Sequence, residues 1–168
     1  MPKARIFTVL FISLMSALVY AGFASASDQG FVTATVTVQN ISVSMEDGDI
    51  EYGILALNSS ASPVGDETQD ATNDGNVAIN LEIRGQNSGS WTLAGTNGEN
   101  QYVHRFCTAT CGSPPTNFTA LTTGYQTLST GVATSASTEI FFHLTTPTTS
   151  ASYTEQEVDV QVLASMAS

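Results

Sequence analysis

The sequence predicts an all-β protein: a single antiparallel β-sandwich, jelly-roll or immunoglobulin-like, preceded by a cleaved signal peptide. Three observations carry that expectation. Short runs of Val, Ile, Thr and aromatic residues alternate with polar ones at a period of two, the pattern of strands with one buried face. Clusters of Gly, Asn, Asp and Ser break these runs at short intervals, giving eight or nine strands with frequent turns. Beyond the N-terminal segment no stretch keeps a helical period, which leaves sandwich architectures as the natural home.

The N-terminal segment reads as a leader. Lys3 and Arg5 precede an apolar run from Ile6 to Phe23, which ends in Ala24-Ser25-Ala26. A basic start, an apolar middle and an A-x-A site describe a secretory signal peptide over residues 1–26. The run is also long enough to approach a bilayer span, so a retained anchor is the alternative. No second apolar run follows, and a mature chain from Ser27 would have no membrane attachment. About 140 residues would remain, enough for one domain.

The first strand candidate follows at once. In "FVTATVTVQNISVSM", Val32, Ala34, Val36 and Val38 share one parity, while Ile41, Val43 and Met45 share the other. A one-residue slip moves every later side chain to the opposite face, so a bulge or a hand-over between sheets is required at Gln39–Asn40. Next come the turn "EDGD", a strand candidate "IEYGILAL" at 50–57, and a polar segment from Asn58 to Gly75 that reads as loop. Asn73-Asp74-Gly75-Asn76 is turn chemistry, built from residues that tolerate positive φ. From Asn76 to Arg84, Val77, Ile79, Leu81 and Ile83 point one way. Further strands are expected at Trp91–Leu93, Tyr102–Phe106, "FTAL" and "YQTLST". The last two, "TEIFFHLTTP" and "EQEVDVQVLA", have Ile140, Phe142 and Leu144, then Val158, Val160 and Val162, on their apolar faces. His143 then falls on an outer face, and Trp91 in the core.

Charge narrows the functional classes. After leader removal Arg84 and Arg105 stand against 15 acids, a formal charge of −13. Such a surface repels nucleic acid and anionic lipid, which need Lys and Arg to neutralise phosphate. Lys3 is the only lysine. A mature chain would therefore have none for an isopeptide staple, a sortase linkage or a Schiff base. Cys107 and Cys111 in "CTATC" suit an oxidising compartment, and a disulfide across so short a loop constrains the unfolded chain by roughly 2 kcal/mol. A metal site there would need more ligands than His104 alone.

No motif points to catalysis, and no catalytic residue is assigned. There is no G-x-S-x-G, no H-E-x-x-H and no phosphate-binding glycine loop. The acidic loop fails as an EF-hand. Counting from Asp70, the third position is Thr72, the fifth Asp74, the sixth Gly75 and the twelfth Leu81, where a Glu is needed. No cofactor is expected, although a looser structural calcium site could draw on Asp47, Asp49, Asp70 and Asp74, with Asp66 and Glu67 nearby. Three sequons place candidate N-glycans on Asn40, Asn58 and Asn117.

The "ASA" site, the strand "GFVTATVTVQN", "EYGILAL", "ATNDGNVAINLEIRG" and the final "EIFFHLTTP…VDVQVLA" together resemble secreted β-sandwich proteins of the TasA and camelysin type and their archaeal bundling-pilus relatives. The resemblance covers most of the mature chain as pattern rather than as one diagnostic motif. It implies a structural subunit of an extracellular filament or biofilm matrix, a homopolymer in which a terminal strand of one copy completes the sheet of the next. On that reading residues 27–40 hold the donor strand, with Val32, Ala34, Val36 and Val38 as its inserted knobs, and residues 41–168 form the sandwich. The same segment would equally serve as the first strand of its own sandwich, with a bulge. Two other classes stay open: an archaeal type IV pilin that keeps its N-terminal helix, and a monomeric carbohydrate-binding or adhesion module using Trp91 and Tyr102.

Overall fold

The computed structural model describes residues 30–168. The leader at 1–26 and the first residues of the segment after it, 27–29, lie outside the described residues. Contacts divide the chain between Thr37 and Val38, and residues 38–168 form one compact unit.

That unit begins with a strand of three residues, β1 (Val43–Met45), and continues through β2 (Ser60–Ala61), a single 3-10 turn at Val64–Asp66, β3 (Gln69–Asn73) and β4 (Ile79–Gly85). There follow β5 (Thr92–Leu93), β6 (Gln101–Cys107), β7 (Thr119–Ala120), β8 (Gln126–Val132), β9 (Ser137–Thr145) and β10 (Val160–Met166). In the larger sheet β1, β3, β9, β6 and β5 lie side by side, with β2 also paired to β9 and β7 to β6. The smaller sheet has the order β10, β4, β8. All pairings between named strands are antiparallel except β5 with β6, which is parallel.

The two sheets enclose one core in a curled, sandwich-like arrangement. Ile79, Leu81 and Ile83 of β4 are wholly buried, as alternation along that strand requires. Ile140, Phe142 and Leu144 of β9, Tyr102 and Phe106 of β6, and Leu128 and Val132 of β8 complete the cluster. Each apolar side chain buried this way contributes roughly 1.5–3 kcal/mol, so these strands carry much of the stability.

Three expectations need correction. The segment 50–57 is not a strand: Gly53 at φ 65° and Asn58 at φ 53° bend the chain. Ile50, Tyr52 and Leu55 still pack on the core, at a spacing that fits neither strand nor helix, while Ile54 is fully exposed. The polar stretch after Asn58 is not all loop, because it contains β3. The inward positions of β3 are Gln69, Ala71 and Asn73, and two of these are polar, so no apolar alternation marks the strand. Their amides are satisfied internally: Gln69 Nε2 donates to the Asp49 carbonyl at 2.9 Å, and its Oε1 accepts from Gly48 N–H at 2.8 Å. Finally, His143 is buried on the far face of β9, where the Phe118 ring lies 6.1 Å from its imidazole.

The turn from β3 to β4 has a different physical basis from the one expected. None of residues 73–76 has positive φ. Asn73 makes the turn, its Oδ1 accepting from Gly75 N–H at 2.9 Å. Gly75 is required there because a Cβ would run into the Asn40 main-chain carbonyl.

Candidate functional site

The segment with the strongest strand pattern in the chain belongs to no strand. Residues 30–42 lie in no strand. Val32, Val36 and Val38 are 95%, 90% and 81% exposed, and Phe31 is 88% exposed. β-branched residues at alternate positions favour an extended conformation, whose main-chain groups a strand ladder would satisfy.

The root of the segment is held firmly. Asn76 Oδ1 accepts from Asn40 N–H at 2.7 Å, and Asn76 Nδ2 donates to the Val38 carbonyl at 2.8 Å. Its main-chain N–H donates to the Asn40 carbonyl at 3.1 Å, and Asp74 N–H donates to the Ser42 carbonyl at 3.1 Å. The amide side chain thus pairs with main chain as a neighbouring strand would. The parity change seen at Gln39–Asn40 falls at this clamp, between the unpaired run and β1, where Val43 and Met45 pack on the core.

Sheet edges are the second component. The register of β10 on β4 is unbroken for seven residues, from Val160 opposite Gly85 to Met166 opposite Ile79. Among the described residues its other side carries no strand. Val160, Val162 and Ala164 face the core but are only half-buried, in contrast to their fully buried neighbours on β4. On the opposite edge of that sheet β8 is irregular, with two register shifts against β4 and Gly131 at φ 64°. Gly131 N–H there bonds to the Asn80 side chain rather than to a β4 carbonyl. Near β8 an open cleft of about 260 Å³ is lined by Phe106, Thr119, Gln126 and Leu128.

No protein-family model matches the chain, and no curated protein is significantly similar to it.

The remaining candidate residues take definite places. Cys107 and Cys111 form a disulfide, with Cα atoms 5.8 Å apart, closing the loop after β6. Asn40, Asn58 and Asn117 are all exposed. Asn58 Oδ1 accepts from Asn97, and Asn117 Nδ2 donates to the Thr110 carbonyl. Trp91 packs on Tyr102 with ring centroids 6.1 Å apart, and its indole N–H donates to Ser150 Oγ at 2.9 Å. Tyr102 is wholly buried and donates to the Gln86 carbonyl, so its ring is not a surface on which a sugar could stack.

The acidic loops meet only in part. Asp47 and Asp49 line an open pocket of about 250 Å³ with Glu51 and Glu67, whereas Asp70 and Asp74 do not line it. Asp70 lies on β3 opposite Glu139, and Asp74 is exposed in the following turn. Partial desolvation, and then the carboxylates of Asp47, Asp49 and Glu51, hold the Glu67 carboxyl above its ordinary range. Among the described residues no three His, Cys, Asp or Glu side chains gather as a metal site.

Both histidines are interior. His104 is fully buried on β6, its Nε2 lying 2.7 Å from the Tyr52 hydroxyl and its ring against Phe142. Burial, reinforced by His143, pushes its pKa down to about 3. His143 is also lowered, by burial and then by the Arg105 charge. The Tyr52 hydroxyl is pushed well above its ordinary value by burial. Nothing in the spacing of Tyr52 and His104 announces this pair, because they are joined only through tertiary packing.

Proposed function

We propose that this protein is a secreted structural subunit whose copies join head to tail by strand exchange to form an extracellular filament or matrix fibre. One observation carries the reading: residues 31–38 are an alternating, uncharged, strand-forming run that is exposed and lies in no strand, with only the Val38 carbonyl held, by Asn76. Ordering eight residues costs about 8–16 kcal/mol of backbone entropy. Burying the three valines of the run returns about 4.5–9 kcal/mol. The difference has to come from a main-chain ladder, at about 1 kcal/mol per hydrogen bond. A partner sheet edge therefore suits this segment better than a generic apolar surface, and a second copy of the chain offers such an edge.

Supporting features are consistent with the extracellular setting. The Cys107–Cys111 disulfide suits an oxidising compartment. The three sequon asparagines are accessible to glycosylation. In this reading the sandwich is of jelly-roll or immunoglobulin-like type and the mature chain starts at Ser27. Sequencing the N-terminus of the exported protein tests that start, since a residue near Arg5 would point instead to a pilin with a retained helix.

Electron microscopy of the purified mature protein tests the assembly itself. Fibres are expected from the wild type. Removal of residues 28–38 should leave a folded, disulfide-bonded monomer that forms none. A truncated chain that still makes fibres would sink the proposal.

A further inference from the structure

We propose that the free edge of β10 is the acceptor, taking residues 31–38 of a second copy of this chain as an added strand. The inference rests on the strand-exchange reading above and names the surface that reading requires.

Edges compete for this role, and four physical differences favour β10. The first is length. β1 has three residues, and β2, β5 and β7 have two each, whereas β10 offers seven to match a donor run of eight. The second is regularity. β8 is equally long, but its two register shifts and the left-handed Gly131 break the straight row of donors and acceptors that strand addition requires. The third is the absence of protection: Val160–Met166 contains no charge, proline or glycine, the devices by which edge strands normally resist pairing. Leu163, on its outer face, is 41% exposed.

The fourth difference is the incomplete burial on the core side. Val160, Val162 and Ala164 remain half-buried although they face the same core as the fully buried Ile79, Leu81 and Ile83. A strand laid against β10 would place its own alternating side chains, Val32, Ala34, Val36 and Val38, next to this row. In an antiparallel or parallel ladder every second residue of an edge strand presents its N–H and C=O outward, so β10 has a set of these groups available. Charge agrees with this placement. Donor and acceptor are both uncharged in a chain of strongly negative balance, so docking them brings no carboxylates into register.

Hydrogen exchange on the full secreted protein, compared as unassembled chain and as fibres, locates the acceptor. The outward amides of residues 160–166 should exchange at least tenfold more slowly in fibres, together with those of 31–38. Protection of 31–38 accompanied by 126–132 or 43–45, with β10 unchanged, would overturn the acceptor assignment while leaving strand exchange standing. Assembly without protection of 31–38, or no assembly at all, would overturn both. A pair of variants supplies an independent readout. Leu163→Lys puts a charge on the outer face of β10 and should cut fibre yield at least tenfold, with the far-UV spectrum of the monomer unchanged. Thr127→Lys, exposed on β8, adds the same charge and should leave the yield intact. Since either lysine reduces overall repulsion, equal losses in the two variants would defeat the assignment to β10.

Discussion

Asn73 is the residue whose replacement tests the fold most sharply. It is wholly buried at the end of β3, and its side chain ties together three parts of the chain. Nδ2 donates to the carbonyls of Val77 and Val132, at 2.9 and 3.0 Å, and Oδ1 accepts from Gly75 N–H at 2.9 Å. Asn73→Ala removes all three bonds and strands two carbonyls and one amide. At about 1 kcal/mol for each bond, with a further contribution from groups left unsatisfied, the loss should be about 3–4 kcal/mol. For a domain of this size that corresponds to a fall in Tm of roughly 10–15 °C. Urea denaturation followed by the fluorescence of half-buried Trp91 measures it directly. Asn73→Asp serves as a companion. It keeps the acceptor for Gly75 but turns a carboxylate toward two carbonyls, so its folded-state pKa should rise. Its deficit should then be full at neutral pH and shrink as pH falls through that raised value. A loss below about 1 kcal/mol for Asn73→Ala would refute the reasoning, because it would mean that the three groups are satisfied without the amide.

Further outcomes are expected elsewhere. His104 has a folded pKa of about 3 and an unfolded one near the usual 6.5. The unfolded chain therefore takes up the proton first. The stability due to neutral His104 is full above about 6.5 and is lost as pH falls toward 3, at up to about 1.4 kcal/mol per pH unit. His104→Gln should start less stable at pH 7 and lose less on going to pH 4, so urea midpoints falling in parallel for the two proteins would count against it. Gly75→Ala forces a Cβ onto the Asn40 carbonyl and should cost about 1–3 kcal/mol while loosening the root of the exposed segment. Thermal melts and the exchange rate of Asn40 N–H check both effects, and a melt identical to wild type would contradict the close approach.

Much of the fold was legible because its strongest strands are amphipathic at period two. β4, β6, β9 and β10 lie close to where alternation places them, and Ile79, Leu81, Ile83, Ile140, Phe142, Leu144, Val160 and Val162 face the core as expected. β3 was hidden by the same logic. A strand whose buried positions are Gln69, Ala71 and Asn73 has no hydrophobic period, and only its hydrogen-bond partners make burial tolerable. The segment 50–57 failed in the opposite sense. It is apolar enough for a strand, but Gly53 bends it and its side chains serve as a lid on the core. The candidate site was half legible. The alternation of residues 31–38 and the parity change at Gln39–Asn40 could be read directly, whereas the Asn76 clamp could not, because it joins residues 36 and 38 positions apart.

Composition and periodicity by themselves determined the all-β class, the main core faces, the short disulfide loop and the oddity of a strand-forming run ahead of the sandwich. These are local properties, set by side-chain polarity and by the two-residue repeat of an extended backbone. Only the tertiary structure decided which strands have neighbours. Among the described residues it left one edge of β10 without a partner strand, and it buried His104, His143 and Tyr102. Pairing depends on which segments lie side by side, and burial on what packs over them, and no local pattern carries either.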